Sequence, residues 1–126
     1  MKYDISALGN ALVDTQYMVS HEFLLRVGLE ADSMTLSSAE EQAPIINKLI
    51  EMGAESISDC GGSATNSLVA AANYGSHCHH VCRVSDDEDG RNYLDSLRSA
   101  GVKHIGVSTE HVEEPTGKCL ILVTPD

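Results

Sequence analysis

Asp59-Cys60-Gly61-Gly62-Ser63-Ala64-Thr65-Asn66-Ser67-Leu68-Val69-Ala70-Ala71-Ala72 runs from a paired-glycine turn straight into an alanine-rich helical stretch. The first backbone N–H groups of a helix have no partner inside it, and the macrodipole makes that end positive. Two glycines carry no Cβ to keep a ligand off the backbone. The junction therefore offers a seat for hydroxyl groups or a phosphate. Ser63 reads as the N-cap, and Asn66, three residues on, directs an amide that both donates and accepts toward the same mouth. A plain glycine turn ahead of a packing helix is the competing reading of these residues.

Working outward, Glu55 to Cys60 reads as a short strand leading into the turn, and the helix after it puts Ala64, Leu68, Ala71 and Ala72 on one face before Gly75 stops it. His77 to Val84 reads as a strand, Arg91 to Ala100 as a helix closed by Gly101, and Val102 to Val107 as another strand. Alternating strands and helices predict an α/β fold with parallel crossovers. The acidic run Ser85-Asp86-Asp87-Glu88-Asp89-Gly90 lacks the alternation of a calcium loop and reads as a solvated turn with carboxylates at a helix start. Toward the N-terminus, Tyr3 to Leu8 reads as a strand that breaks at Gly9-Asn10. Asn10 and Asp14 then sit just past its C-terminal end, where ligands collect in open α/β sheets; as single residues both also suit a turn.

His21 to Val27 has the spacing of a short helix ended by Gly28, and Ser38 with Glu41 matches a capping box opening a helix from Ala39 to about Met52. Its apolar residues Ile45, Ile46, Leu49 and Ile50 form a packing stripe. Lys118 to Thr124 reads as a strand, apolar at every position from Cys119 to Val123, which predicts cover on both faces. Thr124-Pro125-Asp126 then reads as the opening of a turn. The expectation is the N-terminal portion of a larger α/β protein.

The 126 residues carry a net charge of −11, and their eight Lys and Arg are scattered without a basic patch. That balance argues against nucleic acid or an anionic membrane as a partner and favours a neutral, hydroxyl-rich substrate. With no membrane-length apolar run and no signal-peptide pattern, the expectation is a soluble cytoplasmic protein. Four cysteines at these spacings make no disulfide framework. Cys78, His80 and Cys82 would share one face of a strand, but in a row and without a fourth ligand, so buried thiols and surface histidines are expected rather than zinc.

Three segments carry a resemblance: Gly9-Asn10-Ala11-Leu12-Val13-Asp14, Gly61-Gly62-Ser63-Ala64-Thr65-Asn66-Ser67, and Glu114-Pro115-Thr116-Gly117-Lys118-Cys119. In order and separation the chain resembles the N-terminal half of the ribokinase-like (PfkB) sugar and nucleoside kinases, in particular the adenosine-kinase branch. The resemblance implies a central, mostly parallel sheet flanked by helices, with a small β lid from segments near 16–19, 32–36, 55–59 and 118–123. It also implies that Asp14, Gly61, Gly62 and Asn66 bind ribose or sugar hydroxyls, with Asn10 and Ser63 nearby. ATP and Mg2+ are the implied cofactors, and a nucleoside such as adenosine, or a sugar such as ribose, fructose or ketodeoxygluconate, the implied substrate. The family's catalytic Asp stands in a late Gly-x-Gly-Asp element that is absent from this sequence. No catalytic residue is therefore assigned, and the chain alone is expected to be inactive. A non-enzymatic binding module, dimerising through the lid strands, stays open beside these readings.

Overall fold

The computed structural model describes residues 2–108 and 114–125. In chain order the elements are β1 (Ile5–Leu8), β2 (Leu12–Met18), α1 (His21–Val27), α2 (Ala39–Glu51), β3 (Ser56–Gly61), α3 (Ser63–Asn73), β4 (Cys78–Val84), α4 (Glu88–Ser99), β5 (Lys103–Ser108) and β6 (Gly117–Val123). Two compact units result: Met1–Asp14 with Asp59–Cys119, and Thr15–Ser58 with Leu120–Asp126.

The first unit holds a parallel sheet in the order β1-β4-β5, with Ile5 opposite Cys78 and His79 opposite Lys103. Two crossovers step the same way across this sheet, and right-handed crossovers then place α3 and α4 on one face. Leu68 of α3 and Tyr93 and Leu97 of α4 pack there against Cys78, Cys82, Val84 and Val102. In β4 the period of two is strict: Cys78, His80, Cys82 and Val84 are buried, and the residues between them are not. His80 is thus a core residue, contrary to the expectation of a surface histidine, because the alternation sets it between two buried cysteines. On the opposite face Val81 and Ile105 are exposed.

Helix α4 starts at Glu88, three residues before the expected Arg91. The cause is Asp87, whose carboxylate accepts the Gly90 N–H at 2.7 Å and so caps the helix, while Glu88 and Asp89 favour its positive end.

The second unit is built on Tyr17, Val19, Phe23, Leu24 and Leu49. Ser20 caps α1 through the Phe23 N–H, and Gly28, at φ 74°, ends it in the left-handed region. Both bonds of the Ser38–Glu41 capping box are present on α2. Leu49 has no exposed surface, a burial that contributes about 1.5–3 kcal/mol. Ile50 is largely exposed, so the apolar stripe is narrower than its four residues suggested.

A second three-stranded sheet has the order β3-β2-β6. Its strands take up three of the four segments expected for a lid. The fourth, 32–36, is turn and irregular chain with Met34 and Leu36 exposed. Strand β6 is an edge, and its residues are exposed or half-buried, so the expected cover on both faces is not found. The turn expected at Thr124-Pro125-Asp126 runs into Asp126, outside the described residues. No helix among the described residues is long and apolar enough to cross a membrane.

Candidate functional site

All six residues singled out in the sequence belong to the first unit. After β1, the Gly9 N–H still bonds the Val81 carbonyl at 3.2 Å, and Asn10-Ala11 turns the chain into β2. Asp14 is therefore the third residue of a strand and not a loop residue. Val13 and Tyr17, both buried, are the period-two signal of that strand.

Strand β3 ends at Gly61, and Gly62 enters α3 at φ 98°, a conformation that L side chains rarely adopt. Gly62 is the N-cap residue, no side chain caps this helix, and Ser63 is its first residue. The N-cap role expected of Ser63 is thereby corrected: the chain reaches helical geometry one residue earlier, leaving the serine exposed on the first turn. The Asn66 N–H closes the first helical bond to the Gly62 carbonyl at 2.9 Å, and its side chain is exposed.

The glycines are demanded by their neighbours. A Cβ on Gly61 would lie 2.2–2.3 Å from the carboxyl carbon and both oxygens of Asp14, and one on Gly62 would lie 2.8 Å from the Asn10 carbonyl oxygen. Asp14 thus lays its carboxylate over Gly61 while the Asn10 backbone presses on Gly62. Asn10, Asp14, Gly61 and Gly62 are brought together; Ser63 and Asn66 follow on the adjoining helical turn.

Burial raises the Asp14 pKa, and the neighbouring Asp59 carboxylate raises it further. Asp59 is held low by the Ser96 hydroxyl, with burial opposing and the Cys60 N–H, at 2.8 Å, adding to the effect. Asp59 is accordingly engaged by α4 and its own strand, whereas the Asp14 carboxylate is left to accept. A carboxylate beside an unblocked helix start can take the two hydroxyls of a vicinal diol while backbone N–H groups donate to their oxygens.

The acidic run, read as carboxylates at a helix start, also anchors a distant segment. Thr116 donates to the Asp87 carboxylate with its N–H at 2.8 Å and its hydroxyl at 2.7 Å, and accepts from the Ser85 N–H at 3.0 Å. Burial pushes the Asp87 pKa up but is outweighed by these Thr116 bonds, the Gly90 N–H and the Lys118 charge, so the net shift is downward. The Pro115-Thr116-Gly117 segment is tied in this way to the start of α4. The several adjacent acids hid the cap: Asp86, Asp87 and Asp89 are alike in sequence, and only Asp87 stands three residues before Gly90.

A groove of about 730 Å³ opens at the C-terminal ends of β1 and β4, and among the described residues Asn10 alone of the six lines it, with Arg83 and Thr116 close by. A hollow of about 420 Å³ in the second unit is walled by Val19, Phe23, Leu49 and Met52 and is largely apolar, unsuited to an alcohol. Among the described residues no three His, Cys, Asp or Glu side chains gather as a metal site. Burial pushes the Cys78 and Cys82 thiols up, in keeping with the expectation of buried thiols.

No curated protein matches the chain. Among solved structures it is similar to an adenosine kinase from Anopheles gambiae, with 29% identity, a TM-score of 0.78, and coverage of 95% of this chain and 37% of that one. An adenosine kinase from Sinorhizobium meliloti matches at 27% identity and TM-score 0.75, covering 100% and 37% of the two chains. A probable sugar kinase from Rhizobium etli matches at 26% and 0.73, covering 98% and 36%. The chain thus spans little more than a third of the length of each. The model of the pfkB family of carbohydrate kinases matches residues 34–126, most of the sequence. The chain belongs to the pfkB carbohydrate kinase family.

Proposed function

We propose that this chain supplies the alcohol-binding part of an ATP-dependent kinase that phosphorylates a primary hydroxyl of a nucleoside, adenosine or a close analogue. Asp14 would accept two vicinal hydroxyls, the backbone at Gly61 and Gly62 would donate to them, Asn66 would do both, and Asn10 and Ser63 would line the approach. The carrying observation is the Asp14 carboxylate laid over Gly61 beside a helix start that no side chain caps. Strands β2, β3 and β6 would be the lid strands. ATP and Mg2+ would be the cofactors of that reaction; the family's Gly-x-Gly-Asp element does not occur in these 126 residues.

A free sugar is the second reading, favoured by the similarity to a probable sugar kinase and by the family's description. Phosphorylation assays of the complete protein with adenosine, inosine, ribose, fructose and ketodeoxygluconate separate the two. Preference for adenosine or inosine supports the nucleoside reading and preference for a free sugar replaces it. Binding without phosphorylation of any of them favours a non-enzymatic module.

A further inference from the structure

Behind the glycine turn lie three buried polar side chains that the alcohol site does not use. Thr65 of α3 and His80 of β4 have no exposed surface, and Tyr93 of α4 is 1% exposed. The Thr65 hydroxyl stands 3.2 Å from His80 Nε2 and 2.7 Å from the Tyr93 hydroxyl, and His80 Nδ1 stands 3.2 Å from the Ala7 carbonyl oxygen. A carbonyl can only accept, so Nδ1 carries the hydrogen. In the neutral tautomer with its hydrogen on Nδ1, Nε2 accepts the Thr65 proton, and Thr65 in turn accepts from Tyr93. In that tautomer the chain runs one way, Tyr93 to Thr65 to His80 to Ala7.

Its position gives it a task. Ala7 is the penultimate residue of β1, directly ahead of the segment that presents Asn10 and Asp14, while Thr65 lies between Ser63 and Asn66 on the first turn of α3. At the same joint a Cβ on Gly9 would meet Ala64 Cβ at 2.7 Å and His80 Cε1 at 3.6 Å, and a Cβ on Gly62 would stand 3.7 Å from the Thr65 hydroxyl oxygen. Apolar side chains would fill this space without any polar group to satisfy; a satisfied polar chain instead accepts one arrangement of its partners.

We propose that Thr65, His80 and Tyr93 are positioning residues: through this hydrogen-bond chain they lock the start of α3 onto the end of β1 and so set Asn66 and the glycine pair against Asp14. The inference rests on the alcohol-site reading above for its kinetic consequence but not for its geometry, and the experiment reads the two apart.

In the complete protein, Thr65→Val keeps the shape and removes the hydroxyl. It is expected to raise KM for the alcohol substrate by about tenfold or more while KM for ATP stays within about twofold, the scale of one lost hydrogen bond. Thr65→Ser restores the hydroxyl and should return KM to within about twofold of wild type. Ring nitrogen NMR should find His80 protonated at Nδ1 and bare at Nε2, with the Nε2 signal displaced in Thr65→Val. An unchanged alcohol KM, equal rises in both KM values, or a hydrogen on Nε2 of the wild type overturns the proposal. Should Thr65→Val not fold, Tyr93→Phe decides: a selective rise of about two- to threefold in alcohol KM supports the proposal and no change overturns it. If the wild type phosphorylates no alcohol, the functional reading fails by itself. The positioning claim is then settled by the backbone amides of Gly62 and Asn66, which must shift in Thr65→Val and recover in Thr65→Ser; amides that do not move reject it.

Discussion

Two strand-to-helix junctions in the first unit are built from similar parts and finished differently. Where β4 meets α4, Asp87 caps the helix, Glu88 and Asp89 fill its first turn, and Thr116 donates to both oxygens of the capping carboxylate. Where β3 meets α3, the N-cap is a glycine, no acid occupies the first turn, and the Asp14 carboxylate lies over Gly61 from another strand. The first junction has satisfied its own donors and acceptors. The second has no capping side chain, and under the proposed function its backbone donors serve the alcohol.

Substitutions can break this contrast, the largest effect first. Gly61→Ala places a methyl group inside the Asp14 carboxylate, and alcohol affinity should fall by a factor on the order of 100 or more, measured by calorimetry. Asp14→Asn removes a charged acceptor and should weaken binding by about ten- to a hundredfold. It should also raise the melting temperature. The folded state holds the Asp14 pKa above its ordinary 3.8, so the ionised group costs stability at neutral pH, and that cost shrinks as pH falls through the raised pKa. Binding that is strengthened by Asp14→Asn would remove the carboxylate from the site.

The capped junction should answer in the opposite currency. Asp87→Ala is expected to cost about 1–2 kcal/mol in chemical denaturation for the cap, with more from the stranded Thr116 hydroxyl. The Asp87 pKa is lowered, so its stabilisation is complete above 3.8 and disappears as pH falls through the lowered pKa; a flat acid limb relative to the alanine variant would contradict this. Ser63→Ala should be the smallest change, within about 0.5 kcal/mol, because that hydroxyl caps nothing.

The architecture was legible where periodicity and punctuation agree. Strand β4 alternates without fault, Gly28 and the Ser38–Glu41 pair mark helix ends, and the two parallel crossovers follow from element order. Of the site, the paired glycines announced themselves, but the reason for them did not: the carboxylate over Gly61 comes from a position 47 residues earlier, and only tertiary structure states that approach. Strand β2 was obscured because Gly9-Asn10 drew the reading toward a turn. Segment 32–36, expected as a lid segment from the resemblance alone, is turn and irregular chain. His80 was misplaced for a local reason: a histidine in a run of three His and two Cys looks like surface or metal chemistry until its partners Thr65, Tyr93 and Ala7 are seen.

The central claim is that Asp14 and the open start of α3 grip a vicinal diol. Its most direct test is calorimetric binding of adenosine and 2′,3′-dideoxyadenosine to the complete protein and its Asp14→Asn variant. The account predicts that the wild type binds the dideoxy compound at least about tenfold more weakly, and that the variant loses most of this discrimination. Equal affinity of the wild type for the two nucleosides, or a gap that survives in Asp14→Asn, would contradict it.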